Sequence, residues 1–148
     1  GSLLATVTDI VSTGGAGFKF LKLDTGMTEI LRPSLYGAQH AVVVLSRNST
    51  GRRKNYVVVG HCCESGDLLT PAPGDSELLE PRELEETTVG DLCVIEGVGA
   101  YCSSMPAKNY NSFPEAPEVL IRGSGEAVLI RKRQTLAQIL ENEVMING

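Results

Sequence analysis

Tyr56-Val57-Val58-Val59-Gly60 runs without a break into His61-Cys62-Cys63-Glu64-Ser65-Gly66-Asp67-Leu68-Leu69, and the join between these stretches organises the chain. A run of β-branched residues led by an aromatic and ended by glycine predicts a strand, because branched side chains pack well on a pleated surface. The segment after it gathers two thiols, two carboxylates, a hydroxyl and an imidazole around Gly66. Glycine's freedom in φ lets such a loop fold back sharply. No other stretch concentrates so much titratable chemistry.

Strands continue outward in both directions. Ala41 to Ser46 (AVVVLS) is another β-branched run, and the polar, basic stretch 47–55 predicts an exposed loop between the two. Leu3 to Val11 and Phe18 to Asp24 flank Thr13-Gly14-Gly15-Ala16-Gly17, which predicts a hairpin. In Arg32-Pro33-Ser34-Leu35-Tyr36-Gly37, Pro33 suits a first helical position and Gly37 a stop, so one short helical turn is expected. Arg32 and Tyr36, four apart, then project from one side.

Downstream, Thr70 to Asp75 reads as a turn, and the acidic Leu78 to Thr88 as a short strand plus connection. Leu92 to Glu96 (LCVIE) reads as an apolar strand before an irregular region that reaches Pro117. Glu118 to Ile121 and Ala127 to Arg131 flank a glycine-bearing loop, a second hairpin. Thr135 with Gln138 forms a capping-box pattern, and Leu136, Ile139, Leu140 and Val144 fall on one helical face. The fold class expected is mostly β: an antiparallel β-barrel or Greek-key-like sandwich with a short C-terminal helix.

The length, 148 residues, predicts a single β domain over 1–148. A formal net charge of -5 argues against a broad nucleic-acid or anionic-membrane surface, and the basic run Arg131-Lys132-Arg133 is too short to reverse that. No apolar stretch approaches the roughly 18 residues of a membrane span. Four cysteines, two of them adjacent, do not make a disulfide framework in a chain of this size; reduced thiols in a cytoplasmic setting are the simpler expectation.

Cys63 sits between a strand end and two acids, Glu64 and Asp67. Neighbouring anions raise a thiol's pKa, which suits a proton donor better than a covalent nucleophile. The plainer alternative is a small buried hydrophobe at a strand end. Glu64 and Asp67 read as an acid/base pair, a cation-binding pair or solvated loop acids; a carboxylate in a partly dry pocket pairs well with an ammonium group. Arg32 can hold a carboxylate bidentately with Tyr36 adding a hydroxyl donor, or the two are a surface cation and a core-edge aromatic. Tyr101 is a packed aromatic or a face on which a flat ligand rests. The cysteine spacing does not ask for zinc, and no metal is expected. From the residues alone, the chain is a β domain with a candidate site for a zwitterionic small molecule.

Four blocks in order carry a family likeness: Asp24-Thr25-Gly26-Met27, Arg32-Pro33-Ser34-Leu35-Tyr36-Gly37-Ala38, Cys63-Glu64-Ser65-Gly66-Asp67, and Gly99-Ala100-Tyr101 with Asn109-Tyr110-Asn111. They resemble the C-terminal domain of diaminopimelate decarboxylases, within the alanine-racemase-fold, pyridoxal-phosphate-dependent decarboxylases. The resemblance implies a β-barrel domain following a (β/α)8 barrel of about 250 residues, which has no counterpart in this length and would carry the Schiff-base lysine. It implies a cytoplasmic homodimer with sites at the subunit interface, a small amino-acid substrate, and a domain inactive alone. Cys63 and Glu64 then reach into the partner subunit's site, Cys63 as the acid near the substrate α carbon and Glu64 on the distal ammonium. Arg32 and Tyr36 take the distal carboxylate, and Tyr101 lies against pyridoxal phosphate. A decarboxylase for a related amino acid or polyamine precursor, and a non-catalytic binding module of the same fold, are the alternatives.

Overall fold

The hairpin at the start of the chain lies at the centre of the largest sheet. In the computed structural model, which describes residues 1–146, β1 (Ser2–Ser12) pairs antiparallel with β2 (Lys19–Leu23). Five elements follow: α1 (Arg32–Tyr36), β3 (Val42–Leu45), β4 (Arg53–Val59), β5 (Pro71–Ala72) and β6 (Asp75–Leu79). β7 (Arg82–Glu85) and β8 (Leu92–Glu96) complete the sheet, whose order is β3-β8-β1-β2-β4-β7. β5 and β6 pair separately as a small ribbon. The two end strands of the large sheet, β3 and β7, lie against each other, so it curls into a nearly closed barrel. The expected mostly-β barrel is what forms.

β1 serves two neighbours in succession. Ser2 to Thr6 pair with β8, and Val7 to Ser12 pair with β2, with a register irregularity between Val7 and Asp9. Such an irregularity increases local twist and lets one long strand turn a barrel corner. All pairings in the large sheet are antiparallel except β2 with β4, which is parallel. The core alternates along the strands: Ala5 and Val7, Leu21 and Leu23, Cys93 and Ile95, closed by Tyr56, Val58 and Leu84. Val57 is buried as well, so β4 is covered on both faces, as its unbroken apolar run predicts.

One expectation is corrected at 47–55. The strand begins at Arg53, inside the segment read as loop, because the acidic segment downstream is its partner. Arg53 pairs with Glu83 at 3.2 Å, Arg52 with Glu86 at 2.6 Å, and Lys54 also reaches Glu86. The basic stretch looks like solvated loop alone; with its acidic partner it makes a charged ladder at the sheet edge. The acidic segment likewise gives two strands, β6 and β7, in place of one.

The described residues pack as two compact units, the second beginning at Lys108. It holds β9 (Glu118–Ile121) and β10 (Ala127–Arg131) as the predicted hairpin, a 3-10 turn at Tyr110–Ser112, and α2 (Leu136–Ile139). Thr135 and Gln138 form the predicted capping box. The apolar face behind it is shorter than its periodicity suggests: α2 is one turn, Val144 lies beyond it, and Leu136 is 65% exposed.

Candidate functional site

α1 is placed by a turn at Gly26 ahead of it and a glycine at its C-terminal end. β2 stops at Leu23, and the chain turns at Gly26, whose carbonyl accepts from Glu29 N at 3.0 Å and Ile30 N at 2.9 Å. Pro33 occupies the first helical turn, where its missing N–H is no loss. Gly37 ends the helix at φ 59, and its N–H bonds the Pro33 carbonyl at 2.9 Å. A Cβ at residue 37 would collide with the backbone of Gly74 and Asp75. Only glycine meets both conditions.

This short helix sets Arg32 and Tyr36 on one side, with the guanidinium carbon 5.7 Å from the Tyr36 ring centroid. Tyr101 approaches from the loop after β8, and its ring centroid lies 6.0 Å from the same carbon. Its backbone sits at φ 65, and the next residue, Cys102, is buried. Tyr36 and Tyr101 are 57% and 64% exposed. The structure thus brings together three of the five predicted residues, as a guanidinium between two open aromatic faces. Such a group offers planar, paired donors to a carboxylate and flat rings to a planar ligand.

Cys63 and Glu64 lie on the other element. The loop leaves β4 at Gly60 and closes through a Val59–Leu68 bridge, with Leu69 N bonding Val58 O at 2.9 Å. Gly60 N donates to Asp67 O at 2.9 Å, and Asp67 N to Glu64 O at 3.1 Å. Cys63 and Glu64 are exposed, and one Glu64 carboxylate oxygen accepts from Gly66 N at 3.0 Å.

Asp67 is not the solvated loop acid that one reading of the sequence gives. It is 3% exposed, and its carboxylate accepts from Met27 N at 2.7 Å and Cys62 N at 2.8 Å. A Cβ on Gly26 or on Gly60 would run into that carboxylate. The signal lies in Gly26 and Gly60, but a close approach shows in sequence only as a glycine without an obvious turn.

The electrostatics favour Cys62 as the suppressed thiol. Burial pushes its pKa up to about 12, with Asp67 adding through charge and a side-chain contact. His61 Nε2 lies 2.7 Å from Thr28 Oγ1, and burial lowers its pKa against the raising pull of Glu29 and Asp67. Glu29 in turn accepts from the Thr25 hydroxyl at 3.0 Å and from the Thr28 hydroxyl. Nothing in the residue pattern announces these polar ties.

Residues 1–99 match the family described as pyridoxal-dependent decarboxylase, C-terminal sheet domain. A diaminopimelate decarboxylase of Streptomyces coelicolor is 41% identical over 128 residues, covering 84% of this chain and 28% of the relative. The diaminopimelate decarboxylase of Escherichia coli is 37% identical over 151 residues, covering 98% of this chain and 34% of the relative. Among solved structures, a diaminopimelate decarboxylase superposes with a TM-score of 0.87 at 36% identity, covering 96% of this chain and 33% of that one. Another, from Helicobacter pylori and complexed with L-lysine, gives 0.79 at 34% identity, covering 96% and 31%. The chain spans about a third of the length of the curated relatives it matches.

Proposed function

The chain belongs to the pyridoxal-dependent decarboxylases, as their C-terminal sheet domain, and on that premise we propose that it serves a diaminopimelate decarboxylase, which converts meso-diaminopimelate to L-lysine and carbon dioxide. In this reading a (β/α)8 barrel domain outside these 148 residues carries the cofactor's lysine, and the chain alone is inactive. The whole enzyme is a cytoplasmic homodimer of the lysine biosynthetic route, with this domain completing a site at the subunit interface. The described helices include none long and apolar enough to cross a membrane.

The observation that carries the reading is Arg32 held between the exposed rings of Tyr36 and Tyr101. The guanidinium and the Tyr36 hydroxyl bind the distal carboxylate of a dicarboxylic amino acid, and a charge-assisted pair of this kind orients as well as binds. Tyr101 offers an open ring face that fits a planar pyridine. Pyridoxal phosphate, when bound, supplies an electron sink at the carbon that loses carbon dioxide. Glu64 pairs with the distal ammonium group. Cys63 holds a proton at Sγ and delivers it to the substrate α carbon.

The test is to join the chain to the barrel domain of a diaminopimelate decarboxylase and follow product with several amino acids. Lysine formed from meso-diaminopimelate is the expected result. Turnover of ornithine or lysine in preference to it would overturn the substrate assignment.

A further inference from the structure

One side chain touches the backbone of both elements that carry the site. Asp67 uses its two carboxylate oxygens on different segments: Oδ1 accepts from Met27 N at 2.7 Å and Oδ2 from Cys62 N at 2.8 Å. Met27 lies in the turn that leads into α1, where Arg32 and Tyr36 stand. Cys62 is the residue before Cys63 and Glu64. Gly26 and Gly60 press against the same carboxylate from both segments, since a Cβ on either would enter its space. The Asp67 main chain closes the neck of the loop through Gly60 N and the Glu64 carbonyl.

The chemistry of this contact selects for aspartate. An ionised carboxylate accepts in two directions and offers no donor. Asparagine would turn an NH2 toward one of the two amide N–H groups and lose that bond. Glutamate adds a methylene where the two glycines already lie against the carboxylate. A buried acceptor with two amide donors is also costly to disrupt, because each donor left behind is unsatisfied.

We propose that Asp67 is a positioning residue that fastens the Cys63–Glu64 loop to the turn feeding Arg32 and Tyr36. It fixes the position from which Cys63 and Glu64 reach a substrate. The positioning role rests on the diaminopimelate roles proposed for Cys63 and Glu64; the clamp itself rests on the contacts alone.

Amide hydrogen exchange on the unmodified chain tests the clamp. The Met27 and Cys62 amides share one carboxylate, so both are expected to be protected well beyond the amide of Ser65 in the same loop. A Cys62 amide that exchanges as fast as that of Ser65 would overturn the clamp, whatever the variants do. The positioning role is tested in the enzyme assembled with its barrel domain. Asp67→Asn is expected to raise KM for meso-diaminopimelate and to lower kcat/KM by about a hundredfold, the scale of a 1 Å misplacement. Asp67→Glu is expected not to rescue it. Unchanged kcat and KM, with exchange at Cys62 accelerated, would mark a structural role only and overturn the positioning proposal. An assembled wild type that ignores diaminopimelate would overturn the proposed decarboxylase function, while the exchange result still decides the clamp.

Discussion

The guanidinium carbon of Arg32 stands 6.0 Å from the centroid of the Tyr101 ring, although the helix carrying one and the loop carrying the other are far apart in sequence. Two local devices make the meeting. A proline and a left-handed glycine fix the five-residue helix under Arg32. Tyr101 itself adopts φ 65, a conformation that costs a non-glycine residue on the order of 1–3 kcal/mol and has to be offset by its surroundings. Buried Cys102 beside it is the nearest such anchor.

Arg32→Lys keeps the charge and loses the planar fork. In the assembled enzyme it is expected to raise KM for meso-diaminopimelate about tenfold to a hundredfold, in line with roughly 1.5–3 kcal/mol for hydrogen bonds to charged groups. Thermal unfolding should move little, since Arg32 is only partly buried. An unchanged KM would remove Arg32 from the carboxylate site.

The four thiols should differ sharply in alkylation at pH 8. Cys63 is exposed and is expected to react first. The Cys62 thiol is pushed up to about 12 by burial and Asp67, Cys93 up to about 12 by burial, and Cys102 is buried. Peptide mass spectrometry after timed iodoacetamide treatment reads the order. Cys62 labelled as fast as Cys63 would contradict the environment described.

Acid stability should depend on Asp91. Its carboxylate is buried and accepts from Thr88 N at 2.8 Å, Thr87 Oγ1 at 3.0 Å and Arg47 N at 3.1 Å. These bonds, Thr88 N foremost, hold its pKa well below the usual carboxylate range despite burial. A lowered folded-state value means that the ionised group stabilises the fold. That contribution is complete above about pH 4, the unfolded value, and is lost as the pH falls toward the folded one. Asp91→Asn is expected to lower stability at pH 7 and to flatten its fall in acid; a variant with the same acid slope as wild type would refute this.

Gly37→Ala combines two penalties, a positive φ and a Cβ driven into the Gly74–Asp75 backbone. A loss of about 1–3 kcal/mol is expected in denaturant unfolding, the usual range for strain of this kind. A neutral result would mean that α1 does not end on a left-handed residue packed against that backbone.

Most of the fold was legible because its signals are local. The β-branched runs gave β3 and β4, the glycine cluster gave the first hairpin, and Thr135 with Gln138 gave the capping box. What stayed hidden was pairing between distant segments. The basic stretch before Tyr56 is not strand-like until the acidic one after Leu78 stands beside it. The same holds at the site. Helical spacing places Arg32 and Tyr36 together, but the approach of Tyr101 depends on a loop conformation that no periodicity encodes. Asp67 misleads for a related reason: its partners are amides, one of them on a distant turn, and backbone donors leave no trace in residue identity.

Central to the proposed function is that the Cys63–Glu64 loop completes a site on a partner subunit. Mixed dimers test it most directly, one subunit carrying Cys63→Ala and the other lacking the cofactor's lysine in its barrel domain. Each homodimer should be inactive. If sites are shared across a symmetric interface, co-assembled subunits should recover roughly a quarter of wild-type lysine formation from meso-diaminopimelate, because half the dimers then hold one intact site. Mixed dimers that form and bind cofactor yet recover no activity would contradict the claim.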